Sequence, residues 1–127
     1  LGAVDPEHMP TLIGSADLVL CTPHYEPFGI VPLEAMGCGV PVLATDVGGH
    51  RDSVADGVTG RLVEPRDPRA IADAARDLLA DERLRRAMGR AGRERVLKHY
   101  TWRRVADGAE QVYRLTLADH ELSQEVA

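Results

Sequence analysis

Residues 18–45, LVLCTPHYEPFGIVPLEAMGCGVPVLAT, decide the fold. Two apolar runs bracket the stretch, Leu18-Val19-Leu20-Cys21 and Pro41-Val42-Leu43-Ala44-Thr45, and neither alternates apolar with polar residues. Continuous apolar runs of strand length mark strands covered on both faces of a parallel sheet. Between them Pro32-Leu33-Glu34-Ala35-Met36 is rich in helix formers and is closed by Gly37-Cys38-Gly39, which predicts a strand, loop, helix, strand unit.

Outward from this unit the pattern continues. Upstream, Asp5-Pro6-Glu7 offers a cap, a first-position proline and a first-turn acid ahead of Leu12, Ile13 and Ala16, while Pro10 and Gly14 keep that helix short. Downstream, Asp56-Gly57 and Gly60 bracket a turn into a third strand, Arg61-Leu62-Val63. From Asp67 the period becomes helical. Asp67 caps a helix with Pro68 at its first position and an apolar stripe Ile71, Ala74, Ala75, Leu78, Leu79. A second helix carries Leu84, Ala87, Met88 and Ala91; Thr101 caps a third, with Trp102, Val105, Ala109, Val112 and Thr116 in line and Trp102 as a packing anchor. Strands first and helices last predict an α/β fold, the second half of a Rossmann-like doubly wound parallel sheet domain ending in helices. The domain is expected over residues 1–118, with a polar tail at 119–127.

Composition narrows the function. The 127 residues, 44% hydrophobic and 28% charged, suffice for one core. Twenty acidic against fifteen basic residues give a net charge of −5, which argues against a phosphate-backbone binder, so no nucleic acid is expected as partner. No segment is apolar enough to span a bilayer and no leader pattern opens the chain; a cytoplasmic location is expected. Cys21 and Cys38 form no Cys-x-x-Cys or His/Cys cluster, so both are read as buried thiols and no metal ligands are assigned. The opening Leu1-Gly2-Ala3-Val4-Asp5 reads as the end of a strand, as in a piece of something longer.

The chemistry is expected in His24-Tyr25-Glu26-Pro27-Phe28-Gly29-Ile30-Val31-Pro32-Leu33-Glu34, which follows the carboxyl end of a strand and opens a helix. Gly29 allows close backbone approach, and the free N–H groups of Ile30 and Val31 point out of the helix N-terminus, where a phosphate fits. Glu26, in the loop, and Glu34, in the first helical turn, could face one pocket; as acceptors they suit hydroxyl-rich partners such as a ribose diol and a sugar ring. The plainer reading makes Glu34 a first-turn acid complementing the helix dipole and Glu26 a solvent-exposed loop acid.

The block Glu26-Pro27-Phe28-Gly29-Ile30, Leu33-Glu34-Ala35-Met36, Gly39-Val40-Pro41-Val42 and Gly48-Gly49 resembles the E-x7-E signature of retaining nucleotide-sugar glycosyltransferases of the two-domain GT-B fold (group 1, family 4, glycogen synthase-like). Leu12 to Asp17, Asp56 to Val63 and Tyr100-Thr101-Trp102 are similar to further parts of that family's donor domain, so the likeness covers residues 1–117. The resemblance implies a hexosyltransferase donor domain taking a UDP-, GDP- or ADP-sugar. Glu34 would hold the ribose hydroxyls. Glu26, the catalytic-site residue, would lie at the transferred sugar, with the backbone at Phe28, Gly29, Ile30 and Val31 on sugar and diphosphate. The family usually needs no metal or other cofactor. Its N-terminal acceptor domain, the first half of the donor domain and the basic pair that grips the diphosphate have no counterpart here, so the chain is expected to be inactive alone; peripheral membrane contact would run through that absent domain. Gly37 stands where the family often has alanine.

A sugar-nucleotide 2-epimerase of the same fold and a noncatalytic nucleotide-sugar-binding module are the alternatives. His24 and Tyr25 are read as solvent-facing, and His50 and Arg51 as the start of a short surface helix. Arg83, Arg85, Arg86, Arg90, Arg93 and Arg95 interleave with acids and are read as a solvated helix face rather than a membrane patch.

Overall fold

The computed structural model describes residues 2–125, with side chains described as far as residue 117. In chain order the elements are α1 (Met9–Gly14), β1 (Val19–Cys21), α2 (Ile30–Gly37), β2 (Val42–Thr45), α3 (His50–Ser53), β3 (Gly60–Val63), α4 (Pro68–Ala80), α5 (Glu82–His99) and α6 (Trp102–Glu125). The three strands form one parallel sheet in the order β1-β2-β3, with Val19 opposite Val42, Cys21 opposite Ala44, Val42 opposite Gly60 and Thr45 opposite Val63. A parallel neighbour needs a crossover, which α2 supplies between β1 and β2.

The continuous apolar run of β2 has the reason expected from sequence. Val42 and Ala44 face Ala35 and Met36 of α2, joined by Cys21 and Val54. Leu43, pointing the other way, packs with Leu78 of α4 and Met88 of α5. All four residues of β2 are buried, so helices cover the sheet on both faces. Helix α5 comes close to the turn after α2: a Cβ at Gly89 would lie 2.0 Å from the carbonyl oxygen of Gly39.

The helix ends follow local chemistry. Asp67 accepts hydrogen bonds from the N–H groups of Arg69 (3.0 Å) and Ala70 (2.9 Å) with Pro68 at the first position. Asp81 both ends α4 and caps α5, accepting from the N–H of Leu84 at 2.8 Å. Thr101 accepts from the N–H of Arg104 at 3.4 Å.

Several expectations need correction. Helix α1 begins at Met9 behind His8, not at Asp5-Pro6. Proline is tolerated only in a first turn, so a helix started at Pro6 would bury Pro10 in its interior, whereas a start at Met9 leaves Pro10 harmless. Helix α2 starts at Ile30, two residues before Pro32, which moves Glu34 out of the first turn. Cys21 is buried but Cys38 is only half-buried. Arg85, Arg93 and Arg95 are more than a solvated face. Arg85, 13% exposed, donates to the carbonyls of Leu78 and Leu79, Arg93 to that of Gly37, and Arg95 to those of Asp52 and Ser53. Trp102 is 88% exposed, and Val105 and Val112 are exposed with it. The α6 stripe exists but is exposed, so among the described residues Trp102 does not serve as the packing anchor expected. The expected division at residue 118 falls inside α6, and the side chains of the 119–127 tail lie outside the described residues.

Gly37, the last residue of α2, leaves room for a methyl group, since a Cβ there would meet only Val96 Cγ1 at 3.8 Å. Gly37→Ala is expected to stabilise the chain by about 0.5–1 kcal/mol, read as a higher urea midpoint at unchanged slope.

Candidate functional site

Strands β1 and β2 run parallel, so the segments leaving their carboxyl ends, residues 22–29 and 46–49, emerge side by side. That edge is where open α/β sheets take ligands. The two segments are stitched together through backbone. Thr45 Oγ1 donates to the carbonyl of Pro23 (2.7 Å), and the N–H of Gly49 donates to the carbonyl of Glu26 (2.8 Å). The contact is tight enough to demand glycine: a Cβ at Gly48 would lie 2.0 Å from Glu26 O, and one at Gly49 2.2 Å from Phe28 C and O.

Gly29 precedes α2 with φ 85°, a left-handed conformation that costs glycine nothing and most residues about 1–2 kcal/mol. A Cβ there would also meet Gly49 O and Ser53 Oγ at 2.9 Å. No side chain caps this helix and no acid sits in its first turn. The N–H groups of Ile30 and Val31, which have no intrahelical acceptor, are therefore free for an outside anion, and Pro32 contributes none. The side chains of Phe28, Ile30 and Val31 are exposed.

Glu26 turns into its own loop. Its Oε1 accepts from the N–H of Gly29 (2.8 Å) and of Phe28 (3.1 Å), so two of the backbone groups expected to face sugar and diphosphate are occupied by the carboxylate itself. These two bonds, first Gly29 and then Phe28, hold the Glu26 carboxyl below its usual range, with a smaller contribution from His50. A depressed folded pKa means that the stabilisation is present above the unfolded value of about 4.3 and is lost as pH falls through the folded one. The Glu26 carboxyl ¹³C resonance is expected to titrate below about 4.3, with the Phe28 and Gly29 amide shifts following it and losing that inflection in Glu26→Gln. Burial, assisted by the charge of Glu26, pushes the Cys21 thiol up to about 11, so it stays protonated at neutral pH.

Glu34 takes a different position. It lies exposed in the second turn of α2 and lines an open groove of about 550 Å³ with Gly2, Val4, Pro6, Met9 and Leu12. A dipole-complementing role needs the first turn, so the plainer reading of Glu34 loses its basis. The groove includes Glu34 and not Glu26.

His24 and Tyr25 are exposed as expected. His50 is not: α3 is the short helix foreseen, but His50 is 1% exposed and its Nδ1 lies 2.8 Å from the carbonyl of Thr45. With Thr45 and Ser53 it forms a buried polar cluster beneath the Glu26–Gly29 loop, which the sequence reading missed. The available signal was Thr45 and His50 flanking a Gly-Gly turn. Arg51 is tied to Asp46 at 2.7 Å. Among the described residues, Asp5, Glu7 and His8 also bring three potential ligand atoms within 4.8 Å of one another, all exposed. No described helix is long and apolar enough to cross a membrane.

Comparison with known proteins adds an independent finding. The model of the family described as glycosyl transferases group 1 matches residues 1–95. An alpha-maltose-1-phosphate synthase from Mycolicibacterium smegmatis is 41% identical over 109 residues, covering 81% of this chain and 28% of the relative. Among solved structures, sucrose-phosphate synthase from Thermosynechococcus elongatus superposes with a TM-score of 0.88 at 39% identity, over 94% of this chain and 30% of that one. An Anabaena protein solved in complex with UDP-glucose superposes with a TM-score of 0.75 at 28% identity, over 85% and 29%. The chain thus spans less than a third of the length of these relatives.

Proposed function

The chain belongs to the glycosyl transferases group 1 family, and on that premise we propose that it is the donor-binding part of a retaining hexosyltransferase using a nucleoside-diphosphate sugar. The observation that carries this reading is the open, uncapped N-terminus of α2 set between two carboxylates of different environment. The N–H groups of Ile30 and Val31 take the diphosphate, an interaction worth about 0.3–1 kcal/mol when exposed and up to about 2 when partly buried. Glu34 accepts hydrogen bonds from the ribose hydroxyls in the groove formed with Gly2, Val4 and Leu12.

Glu26 holds the transferred sugar. One oxygen is committed to the Phe28 and Gly29 N–H groups, and the other accepts from a ring hydroxyl. Its lowered pKa keeps it ionised at neutral pH, so it accepts and does not donate. That charge suits stabilising the positive charge developing at the anomeric carbon, not protonating a leaving group. As the bond to the nucleotide breaks, the α2 N-terminus stabilises the departing diphosphate. The relatives reported above include two named synthases, which favours transfer over 2-epimerisation.

Product analysis tests the reading. The longest natural polypeptide carrying residues 1–127, given UDP-, GDP- and ADP-hexoses with acceptor sugars, is expected to form a glycoside with the donor's anomeric configuration. Release of a free 2-epimer, or an inverted product, would contradict it. The 127-residue chain alone is expected to bind donor without turnover, because the acceptor side of the family's two-domain architecture lies in the part of the relatives it does not span.

A further inference from the structure

We propose that His50 is the positioning residue of this site: buried under the Glu26–Gly29 loop, it donates its Nδ1–H to the Thr45 carbonyl and so holds that loop in its sugar-receiving form. The inference rests on the donor-site reading above.

A carbonyl only accepts, so the 2.8 Å contact between His50 Nδ1 and Thr45 O requires the proton on Nδ1. That bond ties the start of α3 to the end of β2 across five residues and closes the Gly48-Gly49 turn from inside. Backbone bonds hold the same residue, His50 N–H to Val47 O at 3.0 Å and Val54 N–H to His50 O at 2.9 Å.

The closed turn is the surface on which the Glu26–Gly29 loop rests. Thr45 Oγ1 holds Pro23, in the segment that leads into the loop; Gly49 N–H holds Glu26 itself; and Gly29, where the loop ends, lies against Gly49 O and Ser53 Oγ. Three points from Pro23 to Gly29 therefore depend on segment 45–53, and the His50 ring fixes the shape of that segment. Arg51 spans the same turn from outside, through Asp46, but that pair is exposed and contributes little in water. An apolar side chain of equal volume would fill the space without closing the turn.

The side-chain amide nitrogen of asparagine sits where Nδ1 sits, and that of glutamine where Nε2 sits, so the two substitutions separate the bond from the bulk. With the ¹⁵N-labelled chain titrated by UDP and UDP-glucose, then GDP and GDP-mannose, then ADP and ADP-glucose, His50→Asn is expected to keep the Phe28 and Gly29 amides at wild-type positions. It should also keep most of the affinity that the sugar adds. His50→Gln is expected to move both amides and to bind nucleotide sugar no better than the bare diphosphate, while affinity for the diphosphate changes by less than about twofold. Long-range ¹H–¹⁵N spectra of the wild-type ring should show the Nδ1–H form.

An Nε2–H ring, a His50→Gln chain with wild-type loop amides, or His50→Asn performing no better than His50→Gln overturns the proposal. If His50→Gln does not fold, the wild-type ring and His50→Asn decide the matter: an Nε2–H ring, or a His50→Asn chain whose Phe28 and Gly29 amides move, overturns the proposal equally. A wild-type chain that binds none of the six probes refutes the donor-site reading instead, and the ring tautomer and loop amides still decide the role of His50.

Discussion

Gly49→Ala is expected to abolish donor binding and to destabilise the chain by about 1–3 kcal/mol, the usual cost of forcing extra volume into a packed site. The residue's own backbone, φ −63° and ψ −13°, is ordinary for alanine, so the whole effect is steric. A Cβ there would stand 2.2 Å from Phe28 C and O and 2.6 Å from Phe28 Cα, all backbone atoms, which cannot swing aside as a flexible side chain would. Relief requires lifting the Glu26–Gly29 loop off the Gly48-Gly49 turn. That breaks the Gly49 N–H bond to Glu26 and displaces Gly29, on which the exposed N–H groups of α2 depend. Urea unfolding and a nucleotide titration read the two consequences separately. Gly14→Ala, at the end of α1 with nothing within 4 Å of the new methyl group, serves as the control and should leave both unchanged or slightly improved. A Gly49→Ala chain with wild-type stability and binding would show that the two segments are not packed as described.

Glu34→Ala should produce the second large effect, confined to binding. A hydrogen bond to a charged group contributes about 1.5–3 kcal/mol, which corresponds to a loss of roughly tenfold to a hundredfold in nucleoside diphosphate affinity. Stability should hardly change, because the side chain is exposed on a helix and alanine is a better helix former than glutamate. An unchanged dissociation constant would remove Glu34 from the site and leave the groove without its one carboxylate. The discriminating comparison is with the 2′,3′-dideoxynucleotide: it should bind the wild-type chain and Glu34→Ala almost equally, since both lack the same hydrogen bonds.

The sheet and the long helices were legible because their causes are local. The unbroken apolar run of Val42-Leu43-Ala44 means burial on both faces, and Asp67-Pro68 starts a helix wherever it stands ahead of an amphipathic pattern. The boundaries near prolines were less readable, since a proline permits a helix start at several positions and only packing selects one; α1 and α2 both shifted for this reason. The stripe on α6 shows the limit of periodicity as a guide. Trp102, Val105 and Val112 share a face whether or not anything covers it.

At the site, the residue types and their positions at the strand ends were readable, whereas their contacts were not. Nothing in the spacing of Glu26 and Gly29 announces that the carboxylate takes its own loop's N–H groups, because that depends on the left-handed turn at Gly29. His50 was passed over for a related reason. A histidine after two glycines reads as the start of a short surface helix, and the carbonyl of Thr45 beside it makes burial tolerable. The missed cluster and the carboxylate's bonds to its own loop both belong to the contact between two segments that the sequence separates by some twenty residues, as the bond from Thr45 to Pro23 illustrates.

The N-terminus of α2 and the Glu34 groove are proposed to bind a nucleoside diphosphate together. Amide NMR spectra of the ¹⁵N-labelled 127-residue chain, titrated separately with UDP, GDP and ADP, test it most directly. The expected result is a dispersed spectrum in which one nucleotide moves Ile30, Val31 and Glu34 together with Gly2 and Val4 across the groove. A dispersed spectrum in which all three nucleotides leave those amides unmoved, or move only residues elsewhere, would contradict it.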